Sequence, residues 1–349
     1  MYDPEGAGLT LPLPPLQEPD IIRQIRLFRE GLLYMEQTQV QQMAAAWLGM
    51  ETRLSGEIDA LALEIDALRQ AGETVPRSKL IRLNRYRSLV AQIRVEMRRY
   101  LDQAATQIAA QQRLLIELGL GQSTTILRTM LANGGLYTGF DVLPISALET
   151  IIGLAGDGSP LRVLLEASFG DSVEGLTQAL VDAILTGINP RETARLMRDG
   201  FGVGLNRALN IARSEQLRAY RLASLQNYQR SGVVEGYKRL SARDTRVCPA
   251  CLLADNGTVY PLSQPFEEHP QGRCTAVPVV KGLPVVTWPT GETWLMSLDP
   301  ANQLAILGRG RFNLWRAGTI QLADLVSRKD DPVWGGSLVP TLIRYLVNP

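Results

Sequence analysis

Every cysteine of this chain and its only histidine fall between positions 248 and 274. The four residues, Cys248, Cys251, His269 and Cys274, stand in the order C-x2-C-x17-H-x4-C. Two cysteines separated by two residues turn their sulfurs onto one face of a tight knuckle. A histidine and a third cysteine returned by a later hairpin then close a tetrahedral Cys3His shell, which suits zinc. Four protein ligands leave no open position for a reactive water. The nearby acids Asp244, Asp255, Glu267 and Glu268 form neither an H-x-E nor an H-E-x-x-H pattern, so the expected zinc is structural and no catalytic residue is expected. Two other readings stay open: reduced thiols beside a surface imidazole in a polar loop, and a redox C-x-x-C, for which the usual βαβ context is missing.

The elements that would carry this cluster follow from periodicity. Residues 1–20 form an extended Pro-rich arm, in which Pro12, Pro14, Pro15 and Pro19 alternate with Leu11, Leu13 and Leu16 and forbid a regular helix. From Asp20, a good N-cap, apolar residues recur at helical spacing, and Leu54, Ile58, Leu61, Ile65 and Leu68 alternate steps of four and three. The block Ala71–Pro76 ends that helix, and Leu83, Leu89, Ile93, Met97, Leu101 and Ile108 mark a second. Together they predict an antiparallel helical hairpin over 21–120. A Gly-rich stretch from 121 to 160 leads into a central helical domain (121–236). Within it, Asn189-Pro190-Arg191-Glu192 starts a helix and Gly200, Gly202 and Gly204 read as a helix-to-helix turn. Residues 237–285 form a small β-hairpin module around an Asp255-Asn256-Gly257 turn and bear the zinc knuckle. Residues 286–349 form a short helical tail, with Gln303–Leu307 and Leu322–Val326 as its helical pieces. The fold class is therefore mainly α.

Charge and composition narrow the function classes. A net charge of +1 gives the whole molecule no field to steer it toward nucleic acid or acidic substrates. The charges are segregated, however. Residues 1–20 carry four acids and no Lys or Arg, whereas residues 77–113 carry nine bases against Glu96 and Asp102. The bases Arg82, Arg85, Arg94, Arg98 and Arg99 read either as a solvated outer face or as a contact for a nucleic-acid backbone or an acidic partner. Tyr86 and Tyr100 provide no stacking platform, so any double-stranded DNA contact would be sequence-blind. Three cysteines in 349 residues fit a reducing compartment better than a disulfide scaffold. Neither a secretory signal nor a run of about 18 apolar residues is present, so no membrane is expected.

Several motifs then resemble one family. Ala212-Arg213-Ser214-Glu215 on a helix is similar to the A-R-T/S-E signature of phage Mu F-like minor head, or head morphogenesis, proteins. Asp244-Thr245-Arg246-Val247-Cys248-Pro249-Ala250-Cys251 resembles their D-x-R-x-C-x-x-C stretch, and His269-Pro270-Gln271-Gly272-Arg273-Cys274 their H-P-x-C-R-C element. The likeness covers roughly residues 160–330. It departs at Gly272, which stands where the family often has a further cysteine.

The resemblance implies a low-copy, non-enzymatic virion protein. It would associate with the portal and with capsid or scaffold proteins in the host cytoplasm, then be packaged inside the head near the portal, with some relatives binding DNA nonspecifically. Arg213 and Glu215 carry over as structural motif residues, with Glu215 expected to pair with Arg218. Two other classes remain: a toxin-type or other enzyme built on the same domain, and a zinc-stapled nucleic-acid regulator. The first would need a catalytic domain after the cluster. The second would need a base-reading helix beside the metal, whereas the cluster's flanks are strand-like.

Overall fold

The computed structural model describes residues 18–80, 82–167, 190–331 and 335–347. The expected Pro-rich arm lies outside the described residues as far as position 17. The chain is rich in helix, with small antiparallel sheets. Among the described residues no helix is long and apolar enough to cross a membrane.

Two long helices dominate the first third, α1 (Asp20–Gln70) and α3 (Asn84–Asn133), joined through a short α2 (Arg77–Leu80). Buried positions on α1 run from Ile25 through Leu32, Met43, Trp47 and Leu54 to Ile65. They recur about every 3.6 residues, the period of a straight helix and not the 3.5 of a supercoiled heptad. The partners across the two helices have nearly constant summed positions, as antiparallel neighbours must. Leu32 packs with Leu115, Gln39 donates to the Gln107 carbonyl at 2.8 Å, and Trp47 meets Tyr100 edge to face at 4.9 Å. Arg53 pairs with Glu96 at 2.6 Å and Arg85 with Glu64 at 3.1 Å.

By compactness the chain divides into two units. One gathers Gln37–Ala109 with Ser159–Arg213; the other gathers the start of α1 through Glu36, Ala110–Gly158 and Ser214–Pro349. The second unit holds the Cys/His cluster. It contains the end of α3, a 3-10 turn at Ile145–Ile151, and the C-terminal part of α4 (Pro190–Ser231).

Two helices run further than their glycines suggest. The helix α3 continues through Gly119 and Gly121 to Asn133, and α4 passes unbroken through Gly200, Gly202 and Gly204, where a turn was expected. Glycine lowers helix propensity but keeps its N–H and causes no clash, so unlike proline it does not by itself end a helix. At Gly119 the absent side chain has a use, since a Cβ there would lie 2.7 Å from the Tyr220 carbonyl of α4.

After α4 comes a three-stranded antiparallel sheet of order β2-β1-β3, built from β1 (Val234–Leu240), β2 (Val259–Pro261) and β3 (Thr275–Val280). Tyr237 of the central strand faces Tyr260 on one side and Pro278 on the other. Pro278 is tolerated because β3 pairs along one edge only. Between β1 and β2 lies α5 (Pro249–Ala254), so Asp255-Asn256-Gly257 joins a helix to a strand and not two strands. Ile21, Ile22 and Ile25 of α1, Ile126 and Leu127 of α3, and Tyr228, Tyr237 and Val277 share one core.

The C-terminal segment forms α6 (Gly291–Met296), α7 (Pro300–Leu307) and α8 (Arg309–Arg316), packed with Val247 and Leu252 around Trp294 and Leu295. A 3-10 turn at Leu322–Leu325 stands where a helical piece was expected. An unforeseen hairpin of β4 (Val326–Asp331) and β5 (Gly335–Pro340) follows, and then α9 (Ile343–Val347).

Candidate metal centre

The four residues singled out by spacing converge from three short segments. Cys248 is the residue before α5, with Pro249 at the first helical position, and Cys251 lies one turn inside. Cys274 immediately precedes β3, and His269 comes from the loop before it. The ligand atoms of Cys248, Cys251 and His269 all lie within 4.8 Å of one another. Those of Cys251, Cys274 and Glu268 form a second such group, so Cys251 is common to both. All three cysteines are free thiols.

Protonation is arranged for ligation. The Nδ1 of His269 lies 2.7 Å from the Pro270 carbonyl. A carbonyl can only accept, so Nδ1 keeps a proton, and Nε2, on the side of the sulfurs, is the ring atom left to give up its proton and take a metal. That buried Nε2 makes no hydrogen bond to nitrogen or oxygen among the described residues, which fits a donor atom reserved for a metal. A hydrogen bond from Cys251, and then the neighbouring His269, hold the Cys248 thiol down at about 4. Burial pushes the imidazole of His269 down, but Cys248 and the Glu268 charge outweigh it and raise it to about 9. Cys251 is held well above the usual thiol range by its hydrogen bonds to Cys248 and Cys274.

Spacing did not reveal the carboxylate at the centre. Glu268 is buried; its Oε1 accepts from Cys251 Sγ at 3.0 Å and its Oε2 from Arg239 Nη2 at 3.1 Å. Burial disfavours its charge, but Arg239 and Arg221 overcome this and hold the carboxyl below its ordinary range. Gly272 makes room for it, because any Cβ there would overlap the Glu268 carboxyl group.

The support around the cluster joins the motifs to one another. Ser214 Oγ accepts from the N–H of Gln271 at 3.0 Å, steadying a residue whose φ is +63°. Glu215, fully buried, accepts from the Gly156 N–H at 3.1 Å and pairs with Arg218 at 2.7 Å. Arg218 in turn donates to the Leu154 carbonyl. Arg213 is half-buried and one position outside this unit. Asp244 is bonded by Arg273 at 2.8 Å, so the residue opening one Cys motif grips the residue before the last cysteine. Asp255 is buried and accepts from Ser241, Arg243 and Trp288, anchoring the end of α5.

Residues 174–277 match the family model described as Phage Mu protein F like protein. The stretch similar to the phage Mu F-like family covers less than a third of the chain. No curated protein and no solved structure matches. The Mu F-like segment contains Arg213, Glu215, all four Cys/His positions and Glu268, and ends three residues past Cys274. It lies inside the 160–330 stretch whose motifs resemble the family.

A groove of about 360 Å³ opens beside the Mu F-like cluster, lined by Arg218, Leu225, Leu262, Phe266, His269 and Pro270. It gives the His269 edge access to solvent. The basic residues sit elsewhere: Arg82, Arg85, Arg94, Arg98 and Arg99 are all exposed at the start of α3 and just before it. Arg85 is paired with Glu64, while Arg94, Arg98 and Arg99 have no ion pair among the described residues.

Proposed function

We propose that this chain is a minor head protein of a tailed phage that binds the portal during head assembly and remains inside the capsid near it. The observation that carries this reading is the Mu F-like match over 174–277. Within it the A-R-S-E helix, the D-x-R-x-C-x-x-C turn and the H-P-Q-G-R-C loop are held together by Ser214–Gln271 and Asp244–Arg273. That construction favours a rigid assembly module over a catalytic pocket. Coexpression with the portal protein of the same phage is expected to yield a co-purifying complex, and the chain should be found in purified virions. Failure of both overturns the reading.

The module's clasp is a structural zinc bound by Cys248, Cys251, His269 and Cys274. Zinc would fix α5, the loop before β3 and the start of β3 to one another, a role suited to a small module with short elements. Elemental analysis of untagged protein should find about one zinc per chain, absent from Cys251→Ser. A metal-free protein of equal stability would refute the clasp. A second reading, nonspecific contact with packaged DNA, is favoured by the exposed Arg94, Arg98 and Arg99 on α3, none of which forms a salt bridge among the described residues.

A further inference from the structure

We propose that Glu268 is itself a metal donor, so that one thiophilic divalent ion is held by the three cysteine thiolates together with either His269 Nε2 or Glu268 Oε1. This rests on the reading of the cluster as a metal centre. A tetrahedral zinc with bonds of about 2.0–2.3 Å places its ligand atoms about 3.3–3.8 Å apart. Glu268 Oε1 lies 3.0 Å from Cys251 Sγ and 3.6 Å from His269 Nε2, close to the spacing of groups sharing one ion. It also forms a triad with Cys251 and Cys274 whose ligand atoms, like those of the set containing His269, all lie within 4.8 Å of one another.

Three features aim this carboxylate inward. Its other oxygen is taken by Arg239, whose side chain is 4% exposed, which leaves Oε1 toward the sulfurs. Position 272 bears no side chain, and any Cβ there would displace the carboxyl group. The surrounding charge also suits an anionic centre. The buried guanidinium groups of Arg29 and Arg221 hydrogen-bond to the carbonyls of Ser241, Ala242 and Gly272, and to no carboxylate among the described residues. Their charge is therefore available to offset three thiolates and a carboxylate around a divalent ion.

The test uses the full chain as wild type, His269→Ala, His269→Ala/Glu268→Gln and His269→Ala/Glu268→Asp, loaded with cobalt(II) alone. Stoichiometry, affinity and the visible d–d and sulfur-to-metal bands are read. His269→Ala should keep about one cobalt per chain with the strong d–d bands of a tetrahedral site. Both double variants should bind at least about tenfold more weakly, with weakened d–d bands as water enters. The Asp variant keeps a negative charge beside Arg239 but is one methylene too short to reach the ion, so its folded state, checked by circular dichroism, keeps the comparison valid. If His269→Ala binds no better than the double variants, Glu268 is not a donor. A wild type that binds no cobalt at all refutes the metal centre itself.

Discussion

Cys248 and His269 face one another as a thiolate and an imidazolium in the metal-free protein, with the thiol held at about 4 and the imidazole at about 9. Because the thiol is depressed, the thiolate persists as pH falls and disappears only as pH approaches 4. Alkylation by iodoacetamide, followed by peptide mass spectrometry, should therefore modify Cys248 at a nearly constant rate between about pH 8 and about pH 5. Cys251, buried and held in its thiol form, should stay unmodified under the same conditions. Zinc should protect both. A Cys248 rate that climbs steeply above pH 8, as for an ordinary thiol, would show that the ion pair does not form. The four Cys/His positions were legible in the sequence because no other cysteine or histidine competes with them. Glu268 was not, being one of 35 acidic residues. Its inward turn depends on Gly272 four positions along and on Arg239 from β1, and neither relation leaves a local pattern.

Long elements were legible where burial repeats along one face, as from Ile25 to Ile65 of α1. Glycine read as punctuation at Gly200, Gly202 and Gly204 did not end α4, and elsewhere what a glycine does depends on its tertiary contacts. Gly119 and Gly121 are two residues apart in the same helix, yet a Cβ at 119 would press on the Tyr220 carbonyl at 2.7 Å and on Ala223 at 3.0 Å, while one at 121 meets nothing within 4 Å. Opposite outcomes are expected from the same substitution. Gly119→Ala should destabilise by about 1–3 kcal/mol through overpacking. Gly121→Ala should stabilise by up to about 1 kcal/mol through helix propensity. Shifts of the urea midpoint in opposite directions would bear this out, and shifts in the same direction would deny that α3 and α4 cross at Gly119. The β4–β5 hairpin escaped the sequence for a different reason. Val-Ser-Arg-Lys-Asp-Asp offers almost no apolar alternation, and its partner strand is rich in glycine, so pairing and not pattern makes these strands.

At the scale of the whole molecule, a net charge of +1 means that any attraction to DNA, as proposed above, must come from local charge density and not from an overall field. Arg94 and Arg98 lie one turn apart on α3 with Arg99 beside them, exposed and without ion pairs among the described residues, whereas Arg85 is already neutralised by Glu64. Each arginine that meets a phosphate releases counterions, so the affinity should fall linearly on a log–log plot against salt. Replacing Arg94, Arg98 and Arg99 together by Gln should lower the magnitude of that slope by about one for each phosphate that is no longer neutralised. The weakening should be the same for unrelated duplex sequences, because the neighbouring Tyr86 and Tyr100 are buried and offer no stacking platform. These exposed helix positions should tolerate the change within about 0.5 kcal/mol of stability, so weakened binding would report contact and not unfolding. Arg85→Gln should move the slope less, since it removes a charge already paired. An unchanged slope in the triple variant would return this face of α3 to the role of a solvated surface.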